Sequence, residues 1–166
     1  MNTNTTLPVR HTIGISDMKF SNNPGDILVT HALGSCIGIA IYDPVHVVGG
    51  MLHYMLPMSS IDKEKAAKNP MMFGDTGIPL LFQEIYKYGS IKSDLRIVMA
   101  GGANIFQKTE FFDIGNRNVT IARKLFWKNN VMISAENIGS NIPRTLYLEI
   151  GSGKAWFSSN SLSYEL

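Results

Sequence analysis

Cysteine is nearly absent from this chain: Cys36 is the only one in 166 residues. A single thiol closes no internal disulfide and builds no cysteine zinc site, which excludes a disulfide-stapled scaffold and a zinc finger. An excess of either charge is missing too. Lys and Arg number 15 against 13 Asp and Glu, a formal charge of +2, and the basic residues are dispersed rather than gathered as binding to a phosphate backbone requires. No nucleic-acid partner is expected. Long apolar runs are lacking, and Met1 to Phe20 shows no basic region followed by an apolar core. The expectation is therefore no membrane insertion and a cytoplasmic protein whose thiol stays reduced. The acidic residues show neither metal-ligand nor paired-carboxylate spacing, so neither a metal nor glycosidase chemistry is indicated. Gly101-Gly102-Ala103 lacks the Lys-Ser/Thr of a P-loop and the spacing of a dinucleotide fingerprint. Tight backbone packing is its expected use, and no cofactor is implied.

What the chain does have is a core: 45% of its residues are hydrophobic and 17% charged, ordinary for one domain. That domain is expected over residues 11–166 after a flexible N-terminus of residues 1–10. Short strands are predicted at His11–Ile15, Met18–Phe20, Asp26–Thr30 and Ile37–Tyr42, with a further one at Val47–Leu56. Pro57 to Gly74 is polar and reads as a rim or lid. One helix, capped by Asp75 or Thr76, has Leu81, Ile85 and Tyr88 at helical spacing and stops before Gly89; a second, capped by Asn116 or Asn118, carries Val119, Ala122, Leu125 and Phe126 inward and closes at Asn129-Asn130. Leu95–Ala100, Val131–Ala135, Arg144–Ile150 and Ala155–Ser158 supply the remaining strands. Among the aromatics, Phe73, Phe106, Phe111 and Phe112 flank predicted loops, with core packing the expected fate of most. The fold class is α/β, a single-domain sandwich of mixed and antiparallel sheets covered by helices.

Cys36 follows Gly34-Ser35 at a predicted bend, and His53 lies on the next strand but one turn away. With Asp43-Pro44-Val45-His46 as the turn and Tyr42 opposite Val47, Cys36 falls directly opposite His53, their Cβ atoms roughly 5 Å apart. A thiol beside an imidazole is a nucleophile with its base, and a thiolate–imidazolium pair lowers the thiol pKa. Thr30 sits at the end of the preceding strand, where its hydroxyl is placed to hold the imidazole. His31 is the competing base, but its position next to Thr30 on a strand points it away. His11 and His46 have no partner cysteine.

Leu33-Gly34-Ser35-Cys36, Gly50-Met51-Leu52-His53-Tyr54-Met55-Leu56-Pro57, Gly101-Gly102-Ala103-Asn104-Ile105-Phe106 and Ile114-Gly115-Asn116-Arg117-Asn118-Val119, in that order, closely resemble the chemoreceptor glutamine deamidases, the CheD family. The resemblance runs from about Ile13 to Ile150. It implies hydrolysis of selected glutamine amides on the cytoplasmic domains of methyl-accepting chemotaxis receptors, with no cofactor and with papain-like cysteine–histidine chemistry. The family nucleophile falls on Cys36, the histidine on His53 and the third polar member on Thr30; backbone N–H groups at Ser35 and Cys36 are the candidate oxyanion donors. It also implies association with a CheC-type phosphatase, and whether the same thiol hydrolyses receptor methyl esters is left open by the sequence. A regulator that binds such a phosphatase without turnover is the alternative function, and a thiol peptidase is a third. Two departures stand out: Gly139-Ser140-Asn141 where relatives carry a double glycine, and Phe73-Gly74 for a Tyr-Ala type pair. Neither touches the three proposed residues.

Overall fold

The computed structural model describes residues 7–105 and 113–166. Two five-stranded sheets and a layer of helices stack in the order sheet, sheet, helices. The first sheet contains β1 (Val9–Thr12), β3 (Asp26–Leu33), β8 (Arg144–Glu149), β9 (Ala155–Ser159) and β10 (Leu162–Glu165), in that spatial order. The second has the order β2 (Asp17–Ser21), β5 (Val48–Tyr54), β4 (Ile37–Asp43), β6 (Arg96–Gly101), β7 (Ala135–Ile138). Pairing is antiparallel except for β1 with β3 and β6 with β7. The mixed α/β sandwich read from the sequence is therefore present, with its helices confined to one side of the second sheet.

That sheet is buried on both faces, and its side chains divide by parity. Ile37, Ile39 and Ile41 of β4 and Leu52 and Tyr54 of β5 pack against α2 (Gly74–Tyr86) and α3 (Ile114–Lys128). Ala40, Tyr42 and Met51 face the first sheet, where they meet Leu28, Leu33, Leu146 and Leu148. Any residue of β4 with an even number, and any of β5 with an odd one, therefore looks into the layer between the sheets.

Several elements differ from expectation. Pro57–Gly74 is not a loose rim: it holds two 3-10 turns and the short helix α1 (Lys63–Lys68). It is laced down by Met55 and Leu56 N–H donating to the Met72 carbonyl and by Gly74 N–H donating to the Leu56 carbonyl. Its polarity reflects α1, none of whose residues is buried. Phe73 caps α2 and is fully buried; Asp75 instead accepts from the Ser59 N–H and hydroxyl, and the Thr76 hydroxyl donates to the Pro70 carbonyl. Asp113 caps α3, accepting from Asn116 N–H, which frees Asn118 to turn inward. β7 lies at Ala135–Ile138, later than Val131–Ala135, because Val131 and Ile133 pack against the helix-side core. The exposed β10 carried too little apolar pattern to be anticipated. Phe106, Phe111 and Phe112 lie outside the described residues.

Candidate active site

β3 enters the inter-sheet layer with Thr30 fully buried. Immediately afterwards its pairing to β8 shifts between Thr30 and Leu33, and Ala32 takes a φ of +59°. This irregularity turns the chain out of the first sheet and delivers Gly34-Ser35-Cys36 to the start of β4 in the second. The turn is held from the other side: Gly102 N–H donates to the Cys36 carbonyl at 2.9 Å and Ala103 N–H to the Gly34 carbonyl at 2.8 Å. Gly101, with a φ of +115°, runs so close that a Cβ there would collide with the Cys36 carbonyl. The glycine pair thus serves backbone packing against the cysteine loop.

The β4–β5 pairing corrects one expectation. His53 lies opposite Gly38, and Cys36 falls one residue beyond the last pair, Ile37 with Tyr54. The cause is Asp43. Its fully buried carboxylate accepts from the N–H groups of Val45 and His46, from His46 Nδ1 and from the Ser90 hydroxyl. Burial pushes its pKa up, but these hydrogen bonds outweigh it and hold the carboxyl below its ordinary value. Asp43 therefore stays in the strand, paired with Val48, and the turn moves to residues 44–47. The slip is two residues, so faces are preserved. Cys36 and His53 become diagonal neighbours on the same face. Gly38 leaves room between them: a Cβ there would stand 3.0–3.2 Å from Leu33, Leu146 and Thr30 side-chain atoms.

His53 is fully buried and is held across the two sheets. The Thr30 hydroxyl donates its single proton to the Ile13 carbonyl at 2.8 Å, so at its 2.7 Å contact with His53 Nδ1 it accepts. That requires the proton on Nδ1 and leaves a lone pair on Nε2, which is buried without a partner among the described residues. Burial lowers the imidazole pKa from 6.5 to about 4, and burial raises the Cys36 thiol pKa, its own backbone N–H pulling the other way. Both shifts favour the neutral forms. Desolvation of the two partners, with no hydrogen bond between them, thus works against the expected thiolate–imidazolium pair in this state.

Cys36 is half-buried and opens into a cavity of about 340 Å³ lined also by Gly34, Ser35, Ala103, Ile114 and Gly115. Among the described residues the Ser35 N–H, beside the thiol, donates to no backbone carbonyl. The competing histidines are elsewhere: His31 is exposed near Thr145, His11 stands 2.9 Å from Asp26 and His46 belongs to the Asp43 turn. Among the described residues no group of three His, Cys, Asp or Glu is arranged to hold a metal.

A family profile described as CheD chemotactic sensory transduction matches residues 55–159. A protein of Syntrophus aciditrophicus named probable chemoreceptor glutamine deamidase CheD 1 is 57% identical over 148 residues, 89% of this chain and 92% of that one. The chain belongs to the CheD family. Other CheD proteins agree: a probable chemoreceptor glutamine deamidase of Solibacter usitatus is 44% identical over 93% of this chain and 91% of its own. One from Anaeromyxobacter dehalogenans is 40% identical over 89% of this chain and 93% of its own. The solved hypothetical protein YfiH of Bacillus licheniformis aligns with a TM-score of 0.45 at 16% identity, over 72% of this chain and 49% of that one, too distant to bear on the fold or the activity. No described helix is long and apolar enough to cross a membrane.

One residue of the site was missed. Asn118 reads from the sequence as a cap, yet it is fully buried on the inward stripe of α3 with Gly115, Val119, Ala122 and Phe126. A polar residue at helical spacing within an apolar stripe was the available signal.

Proposed function

We propose that this CheD protein hydrolyses glutamine side-chain amides of chemoreceptor cytoplasmic domains to glutamate and ammonia, with Cys36 as nucleophile, His53 as base and Thr30 as its orienting partner. The relatives carry that activity in their names. The observation that supports the assignment of residues is the unpartnered Nε2 of His53, fixed as an acceptor by the Thr30 relay, on the same face of the sheet as the thiol.

The favoured neutral state sets the order of events. As Cys36 Sγ bonds to the carboxamide carbon, its proton passes to His53 Nε2, so the ions form only as the tetrahedral intermediate does. Ser35 and Cys36 N–H groups are the proposed donors to the oxyanion. The carbon–nitrogen bond then breaks, Nε2 returns its proton to the leaving ammonia, and a thioester remains. Water, losing a proton to Nε2, adds to the thioester; the carbon–sulfur bond breaks, the proton returns to sulfur, and glutamate is released. Thr30 stabilises the transient imidazolium through a neutral oxygen, more weakly than a carboxylate does.

The same sequence of steps with methanol as leaving group gives methyl-ester hydrolysis, which we include in the proposal together with a cytoplasmic location, residues 11–166 as one domain, and association with a CheC-type phosphatase. Peptide mass spectrometry of a chemoreceptor cytoplasmic fragment is the test. Conversion of glutamine to glutamate by the wild type, absent with Cys36→Ala and with His53→Ala, is expected. Conversion that survives Cys36→Ala removes the thiol from the mechanism, and cleavage of peptide bonds with glutamines intact points to a peptidase.

A further inference from the structure

We propose that Asn118 is a positioning residue that sets the thiol of Cys36 against His53, an inference that rests on the cysteine–histidine reading above. The β4–β5 ladder ends at Ile37 opposite Tyr54. Cys36 lies just outside that end and His53 just inside it, so no rung of the ladder spans the two. Beyond the end the strands part: residues 34–36 cross to the first sheet, and Met55 turns toward the segment around Met72, whose carbonyl accepts its N–H.

The side chain of Asn118 spans this gap. Its Nδ2 donates one proton to the Ser35 carbonyl at 2.9 Å and the other to the Met55 carbonyl at 2.8 Å. With both donors committed to carbonyl oxygens, the orientation of the amide is fixed by its partners. Neither carbonyl accepts from another described group. The same residue is gripped at its backbone, because the Tyr54 hydroxyl donates to the Asn118 carbonyl at 2.6 Å. Asn118 thus joins the residue before the nucleophile to the two residues that follow the base. It does so from a rigid helix that belongs to neither strand.

Its cost identifies its purpose. Oδ1 of Asn118 is buried and unpartnered among the described residues, and an unpaired acceptor in an apolar stripe opposes stability. A plain hydrophobe would avoid that unpaired oxygen but would leave the Ser35 and Met55 carbonyls without their donor. What the amide supplies is the fixed separation of two chain ends, where a displacement on the order of 1 Å costs about a hundredfold in rate.

The sole thiol gives a direct readout: alkylation of Cys36 by iodoacetamide at pH 7, followed by intact mass in a double-mutant cycle with His53. His53→Ala is expected to slow alkylation. Asn118→Ala is expected to slow it about tenfold where His53 is present and less than about twofold in the His53→Ala background. Deamidation by Asn118→Ala should lose kcat with little change in KM. Equal slowing in both backgrounds would show a general structural role and overturn the proposal, as would an unchanged rate in a folded Asn118→Ala protein. If His53→Ala alone changes neither alkylation nor deamidation, the underlying cysteine–histidine reading fails instead, and the inference with it. Should Asn118→Ala not fold, Tyr54→Phe carries the cycle, removing one hydroxyl in a conservative change. A loss of at least about twofold, present only with His53, is then expected, and no loss overturns the proposal.

Discussion

At the scale of single residues, the site depends on one proton. Thr30 gives its only hydroxyl hydrogen to Ile13 and must therefore accept from His53, and that relay, with no carboxylate in it, makes Nε2 the basic nitrogen. Thr30→Val keeps the branched shape but leaves the Ile13 carbonyl and His53 Nδ1–H unpaired in the interior. We expect kcat to fall roughly 10- to 100-fold and stability to drop by about 1–3 kcal/mol, whereas Thr30→Ser retains most of both. Steady-state deamidation and urea unfolding of the two variants provide the comparison. The burial of His53 has a separate signature. Its base form persists down to about pH 4 rather than 6.5, and the thiol ionises only above its ordinary range. The acid limb of kcat/KM is accordingly expected near pH 4, with no inflection around 6.5. A half-maximal point close to 6.5 would show that the free enzyme solvates this imidazole.

Among the elements, the β4–β5 hairpin is decisive, and its alignment is set at the end remote from the chemistry. The residues that make strands here were legible: branched apolar positions alternate through Ile37–Ile41, and β5 follows after a turn. The alignment was not, because it turns on where Asp43 belongs. As a residue type Asp43 reads as the first residue of a turn; only the arrival of Ser90 from beyond α2, together with His46, makes a buried carboxylate tolerable as the last residue of a strand. Asp43→Ala is expected to destabilise the protein by about 1–3 kcal/mol, since it strands the buried Ser90 hydroxyl and removes the acceptor of the Val45 and His46 N–H groups in the turn, and to weaken catalysis by loosening the pairing that places His53 beside Gly38. Thermal unfolding together with kcat measures both effects. Gly38→Ala tests the opposite end. Its methyl would press on Leu33, Leu146 and Thr30, so a cost of about 1–3 kcal/mol and a loss of activity larger than that of a surface substitution are expected.

For the whole molecule, the consequence of placing His53 between two sheets is a dependence of stability on pH. In the unfolded chain the imidazole protonates near 6.5, while in the folded protein it does so only at about 4. Between those values the unfolded state binds the extra proton, so stability falls as pH drops from 6.5 toward 4, by about 3 kcal/mol at most. Urea unfolding at pH 7.5 and pH 5 should show a steeper loss for the wild type than for His53→Gln, and parallel losses would place the destabilising group elsewhere. The sequence by itself determined most of the strands, the two long helices, the sandwich and the family, and it singled out Thr30, Cys36 and His53 as candidates, because each rests on residue type, local periodicity or ordered motifs. Tertiary structure alone decided the alignment of the hairpin, the burial that favours a neutral thiol and imidazole, and the bridge made by Asn118. These arise from burial and from hydrogen bonds between segments far apart in the chain, such as Asp43 with Ser90 and Asn118 with Ser35, and no local pattern encodes which distant group will complete a buried polar one.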